Sequence, residues 1–121
     1  MGKIKFGATV SDGNIIPVKL SNQVVEKATN FWRERGLTIR QVGLDEGLQQ
    51  ATITAEGGTI WTTDFDKYMK RVRVSMTSLA EKVQVTVFME LPGAILSAKD
   101  KEKASRLMEA FWDTLSKASS I

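Results

Sequence analysis

The chain of 121 residues contains no cysteine and no histidine. The absence of cysteine excludes disulfides, thiol nucleophiles and thiolate metal sites. The absence of histidine removes the commonest transition-metal ligand and the usual general base near neutral pH. A serine or threonine nucleophile would need a lysine or carboxylate as its base, and no spacing singles one out. We therefore expect a protein without cofactor or metal that is not an enzyme, although carboxylates paired only by the fold would leave no trace here.

Long apolar runs are also missing, and the sequence holds only two prolines. No stretch approaches the length of a membrane span, and the start, MGKIKFGATV, alternates instead of forming the apolar core of a signal peptide. The net charge is +3 and the pI about 9.3, which is mildly basic. Apolar residues at 42% and charged residues at 26% are ordinary globular values. We expect one cytoplasmic domain spanning 1–121, with no membrane partner.

The stretch from Lys70 to Leu91, KRVRVSMTSLAEKVQVTVFMEL, holds two runs in which apolar and polar residues alternate. This period of two predicts two strands. A turn at Ser78 to Glu81 would join them, with Val74 opposite Val85. The resulting hairpin has one continuously apolar face, which needs a cover. The apolar positions are Val72, Val74, Met76, Val83, Val85, Val87, Met89 and Leu91.

Other strands are predicted on both sides of a first helix. Alternation indicates a strand from Ile4 to Val10, followed by a turn at Ser11 to Asn14. A helix begins at Ser21 or Asn22, either of which can cap it, and stops at Gly36. Further strands are predicted at Leu37 to Val42, Leu48 to Ala55 and Thr59 to Thr63, the second of them after a turn at Leu44 to Gly47.

A second helix follows the hairpin. Ser97, with Asp100 three residues on, resembles a capping box. An apolar stripe follows at helical spacing and consists of Ala104, Leu107, Met108, Phe111, Leu115 and Ala118. Both helices carry a Phe-Trp pair, at 31–32 and 111–112, but the flanking residues do not match well enough to indicate an internal duplication.

These elements predict an α+β two-layer sandwich. An antiparallel sheet of about five to six strands is covered on one face by two helices, in the order β-α-β(4-5)-α. This order, with Gly36 after the first helix and the passage ELPGAILSAKDKEKASRLMEAFW, resembles the helix-grip arrangement of the START and Bet v 1-like superfamily in a reduced form. The resemblance implies an apolar cavity between the sheet and the C-terminal helix.

The inner face of the sheet carries the preferred functional hypothesis, non-catalytic binding of a small apolar or amphipathic ligand. Methionine adapts to varied apolar guests, and Trp112 with the loop from Pro92 to Leu96 would gate the pocket. The same side chains could equally form a filled core. They are Trp61, Tyr68, Met76, Met89, Met108, Phe111 and Trp112.

The outer face carries two alternatives. Basic residues beside an exposed aromatic can attract phosphate and stack on bases, so this face could bind nucleic acid or an acidic partner. Phe88, predicted opposite Arg71, could instead be covered by a second subunit in a homo-oligomer. The residues of this face are Lys3, Lys5, Arg40, Arg71, Arg73 and Phe88. The Asp64–Asp66 pair indicates a turn and not a metal site, because a calcium or magnesium site needs more than two carboxylates.

Overall fold

The computed structural model describes residues 7–62, 64–65, 67–92 and 97–117. Within these ranges the strands form one antiparallel sheet of five, in the order β1-β5-β4-β3-β2. The strands are β1 Ala8–Ile16, β2 Leu37–Leu44, β3 Gln50–Gly57, β4 Lys70–Leu79 and β5 Lys82–Leu91. The helices are α1 Asn22–Arg33 and α2 Ala98–Ser116, and a short 3₁₀ helix spans Glu46–Leu48. The predicted α+β class, with two helices on one face of an antiparallel sheet, is confirmed.

The central hairpin has the predicted faces but a different register. Val74 lies opposite Val87 instead of Val85, and Arg73 lies opposite Phe88. The turn is tighter than expected, because Leu79 pairs with Lys82 and leaves only two residues in the loop. The first of these, Ala80, adopts a positive φ of 57°, as tight hairpin turns require. A shift of two residues keeps every side chain on its predicted face, since the strand period is two.

The predicted turn at Ser11 to Asn14 is wrong. The strand runs straight through this stretch, with Asp12 paired to Val87 and Gly13 to Thr86. The long strand β5 supplies backbone partners along its whole length, which outweighs the local turn preference of these residues. The first residues of the predicted strand, including Ile4, lie outside the described part of the chain.

The predicted strand at Thr59 to Thr63 does not form in the described residues of that stretch. Thr59 makes a single bridge to Tyr68 instead. Gly58 has a φ of 95°, and a Cβ there would lie 2.7 Å from the carbonyl oxygen of Tyr68. The sharp turn at Gly58 therefore needs glycine and takes the chain out of the sheet.

Both helices begin where the capping pattern predicted. The hydroxyl of Ser21 accepts a hydrogen bond from the amide of Val24 at 3.3 Å, and that of Ser97 accepts one from Asp100 at 3.1 Å. Gly36, at a φ of 84°, lies between α1 and β2. The predicted stripe of α2 is buried from Ala104 to Leu115, while Ala118 lies beyond the described residues.

The two Phe-Trp pairs pack on each other and hold α1 against α2. Phe31 lies 5.0 Å from Phe111 between ring centroids, and Trp32 lies 5.2 Å from Phe111. Trp112 extends the group, with its ring 5.5 Å from that of Phe111. Tilted and edge contacts at these spacings are favourable aromatic geometry. The four rings therefore form one cluster, which we call the aromatic cluster, between the two helices.

Replacing Phe111 by Ala should destabilise the protein by about 3 to 5 kcal/mol. Phe111 is fully buried, and its ring contacts the other three rings of the aromatic cluster. Its removal therefore leaves a cavity at the centre of the cluster. Urea denaturation followed by tryptophan fluorescence measures the loss. Phe88→Ala on the half-exposed outer face is the control and should cost about 1 kcal/mol or less. Equal losses in the two variants would contradict a filled interior.

Candidate functional site

The interior face predicted to line a pocket is closely packed. Met76, Met89, Met108 and Phe111 are each exposed by no more than 1%. Together with the aromatic cluster they occupy the space between the sheet and the helices. None of these four side chains lines either of the clefts described below. The sequence left open whether these side chains line a pocket or fill a core. In the structure these four side chains lie in the core.

The remaining side chains of the predicted pocket lie in three different places. Tyr68 is half-buried and lines a surface cleft. Trp112 packs at the edge of the aromatic cluster, and its Nε1 donates a hydrogen bond to Oδ2 of Asp12 at 3.3 Å. Trp61 points away from the core and is 87% exposed.

Trp112 is therefore anchored on β1 through Asp12, and the gate that it was expected to form with the loop from Pro92 to Leu96 stays a prediction. Ser97, at the start of α2, is about 22 Å away along the helix at the usual rise per residue. Pro92 is half-buried at the end of β5, and 93–96 lie outside the described residues.

Two adjoining clefts open at the end of the molecule where α2 begins. They lie between α2 and the 58–69 segment, which joins β3 to β4, and they share Phe65 and Lys103. We call the first the α2 cleft; its volume is about 340 Å³, and it is lined by Arg35, Asp64, Phe65, Lys103, Arg106, Leu107 and Ala110. We call the second the loop cleft; its volume is about 410 Å³, and it is lined by Thr62, Phe65, Tyr68, Lys99, Asp100 and Lys103. Volumes of this size are near the lower end for small-molecule sites, about 300 to 1,000 Å³.

The α2 cleft combines an apolar wall with cations. Phe65, Leu107 and Ala110 contribute the apolar part. Arg35 and Lys103 make no ion pair with any of the described residues, whereas Arg106 pairs with Glu102 at 2.6 Å. Both members of that pair are well exposed, so it is weak in water. The cleft can therefore offer positive charge to a ligand beside a surface that an apolar group would cover.

Arg35 is held in place although it has no carboxylate partner among the described side chains. Its guanidinium carbon lies 3.6 Å from the ring centroid of Phe31, a cation–π contact. Its Nη1 donates to the carbonyl oxygen of Phe31 at 3.2 Å. Its Nε is buried and has no acceptor within the described part of the chain. The aromatic cluster thus orients this cation through Phe31.

Lys70 is the functional-site residue that sequence reasoning missed. It is 1% exposed, and its Nζ donates to the carbonyl oxygens of Phe65 and Tyr68, each at 2.6 Å. The same nitrogen lies 4.9 Å from the ring centroid of Phe65. A buried ammonium needs such acceptors to offset its desolvation. Lys70 therefore anchors the 58–69 segment and fixes Phe65 between the two clefts.

A signal for this role was present in the sequence. Lys70 shares the inward parity of Val72 and Val74 in the alternating hairpin. A lysine on a face that is otherwise apolar indicates a buried, partnered cation. The acceptors, however, are backbone oxygens of an irregular segment, and no residue pattern identifies them.

Replacing Lys70 by Met should cost about 1 to 3 kcal/mol, because the carbonyl oxygens of Phe65 and Tyr68 lose their donor. Hydrogen exchange should accelerate at the amides of Thr59, Tyr68 and Met69, whose bonds hold the segment. Lys67→Met removes a charge from an exposed position of the same segment and should leave both quantities unchanged. Unchanged exchange in Lys70→Met would show that Lys70 does not anchor the segment.

The outer face of the sheet is less basic than the sequence suggested. Arg40 pairs with Glu56 at 2.9 Å, and Arg71 bonds Glu90 through Nε and Nη2 at 3.1 and 3.2 Å. The hydrogen bonds that Arg71 donates to Glu90 raise the pKa of Arg71, against a smaller lowering by desolvation. Glu56 lies opposite Arg71 on the neighbouring strand. Charges therefore alternate across β2, β3, β4 and β5, and two carboxylates offset two of the predicted cations.

Arg73 and Phe88 remain as a pair on this face. They lie opposite each other on β4 and β5, and Phe88 is half-exposed. Arg73 makes no ion pair within the described residues. Lys3 and Lys5, the other predicted members of the basic face, lie outside the described part of the chain.

The described residues contain no cluster of three or more side chains that could hold a metal ion. Asp64 lines the α2 cleft, while Asp66, the other half of the Asp-x-Asp pair, is not among the described residues. Neither helix, over its described length, is long and apolar enough to cross a bilayer.

No protein-family model matches the sequence, and no curated protein matches it. Among solved structures, Ara h 8.0201, of the Bet v 1 family, superposes with a TM-score of 0.55 at 12% identity over 94% of this chain and 99% of its own. An uncharacterised protein from Bacillus thuringiensis superposes with a TM-score of 0.50 at 12% identity, over 92% of this chain and 98% of its own. The chain has a helix-grip fold. In this helix-grip domain the aromatic cluster and the methionines fill the space beneath α2, and the clefts lie at its rim.

Proposed function

We propose that this helix-grip protein binds a small amphipathic ligand, without catalysis, in the rim clefts between α2 and the 58–69 segment. The main support for the proposal is that the interior is packed, whereas two adjoining clefts that share Phe65 and Lys103 are open at its rim. The likeness to Ara h 8.0201 supports the fold, and ligand binding is a function that such a fold can host. The ligand site is thus moved outward from the interior that the sequence favoured.

Burial of the apolar part of the ligand would supply most of the affinity. Phe65, Leu107 and Ala110 form the apolar wall of the α2 cleft, and Tyr68 adds an aromatic ring to the loop cleft. Burial of apolar surface contributes about 25 cal/mol per Å² before the entropy of association is subtracted. A ligand that covers both clefts would contact Phe65 on two sides.

The side chains around the clefts support binding more than catalysis. They are cations, hydroxyl groups, carboxylates and apolar groups, without a histidine or cysteine to act as base or nucleophile. The two carboxylates, Asp64 and Asp100, line different clefts, and we assign neither a catalytic role.

Filling the α2 cleft should block binding. Ala110→Met places a longer side chain on the cleft wall, and we expect it to weaken binding of the neutral apolar dye Nile red about tenfold or more. Ser105→Met adds the same side chain to the exposed face of α2 and should leave binding unchanged. Fluorescence titration measures both. Equal dye binding by the two variants and the unmodified protein would overturn the proposed site.

Native mass spectrometry of the protein purified without denaturant detects co-purified small molecules and measures the number of subunits in one experiment. A small molecule retained by the unmodified protein and lost from Ala110→Met is the expected result. A ligand-free dimer that Phe88→Ala converts to a monomer would instead favour an oligomer formed through the outer face.

A further inference from the structure

We infer, on the basis of the proposed function, that the ligand is an amphipathic monocarboxylate whose carboxylate lies between Arg35 and Lys103 in the α2 cleft. The cleft combines two cations, one of them held in a fixed position, with an apolar wall beside them.

The charges of the cleft favour an anion. Arg35 follows the end of α1 and Lys103 lies in the first third of α2, and both line one cleft. Neither makes an ion pair with a described carboxylate, whereas Arg106 on the same wall pairs with Glu102. Both cations line this cleft together with Asp64, and an anion bound between them would lower their mutual repulsion.

Arg35 is prepared for a planar anion. Its guanidinium is stacked on Phe31 and fixed by the bond from Nη1 to a backbone oxygen, so little side-chain entropy remains to be lost on binding. The guanidinium fork matches the two oxygens of a carboxylate. Lys103 adds a flexible point charge from α2.

The presence of Asp64 favours a single negative charge on the ligand. Asp64 lines the same cleft, so a doubly charged group such as a phosphate monoester would meet stronger repulsion than a carboxylate. The apolar wall of Phe65, Leu107 and Ala110 lies beside the cations and would cover a short hydrocarbon chain or ring. A carboxylate at one end and an apolar body at the other fit this arrangement.

The test compares octanoate with octan-1-ol by isothermal titration calorimetry at low salt. The two probes have the same chain length and differ in charge. We expect octanoate to bind about tenfold more tightly or better, and Lys103→Gln and Arg35→Gln each to weaken octanoate about tenfold without changing octan-1-ol. Lys101→Gln removes a charge from an exposed position of α2 outside the clefts and should change neither. Added salt should reduce the preference for octanoate, since partly exposed charges are screened.

Three outcomes would contradict the inference, and they separate it from the proposed function. Equal affinity for the two probes, with both lost in Ala110→Met, would overturn the carboxylate and leave the binding site in place. Tighter binding of octyl phosphate than of octanoate would overturn the single charge. Octanoate binding that neither Ala110→Met nor Lys103→Gln reduces would overturn both the inference and the site. A urea denaturation curve for Arg35→Gln checks that the variant is folded, and Lys103→Gln provides the same test without altering the stack on Phe31.

Discussion

The contact between the two Phe-Trp pairs is the interaction on which the rest of the structure depends. Phe31 and Trp32 on α1 pack against Phe111 on α2, and Trp112 packs against Phe111 on the same helix. This contact holds the two helices side by side over the apolar face of the sheet. Because the four rings and the inward methionines fill that space, the protein has a packed core where the sequence allowed a cavity. A ligand would then have to bind at the surface, and we propose that it binds where α2 meets the 58–69 segment.

The same cluster reaches the proposed site through Phe31. The ring of Phe31 contacts Phe111 on one side and the guanidinium of Arg35 on the other. On the opposite side of the cleft, Lys70 holds Phe65 through backbone oxygens. Different contacts therefore fix the two walls of the α2 cleft. The ring of Phe31 holds Arg35, and the buried ammonium of Lys70 holds Phe65. A site supported in this way loses little conformational freedom when it binds.

Several features of the fold were predictable because they depend on local periodicity. The alternation in the hairpin identified its inner face, and an error of two residues in register did not disturb that face. The caps at Ser21 and Ser97 were predictable for the same reason, since a capping bond spans only three residues. Local preference failed at Ser11 to Asn14, where pairing with β5 determines the conformation.

The candidate site could be predicted only in part. The sequence identified Phe111 and the methionines as inward-facing, but whether they line a cavity or fill it depends on how closely the helices approach. It grouped Arg40, Arg71 and Arg73 as one basic face, and the cross-strand carboxylates Glu56 and Glu90 were not placed beside them. By itself the sequence determined the α+β order of the elements apart from the strand expected at Thr59 to Thr63, the buried face of the hairpin and the side-chain chemistry that the chain lacks, because each follows from composition or from a short repeat. The tertiary structure decided that the interior is filled, that Lys70 is buried and that Arg35 and Lys103 line one cleft, because each requires residues far apart in the chain to be brought together by packing.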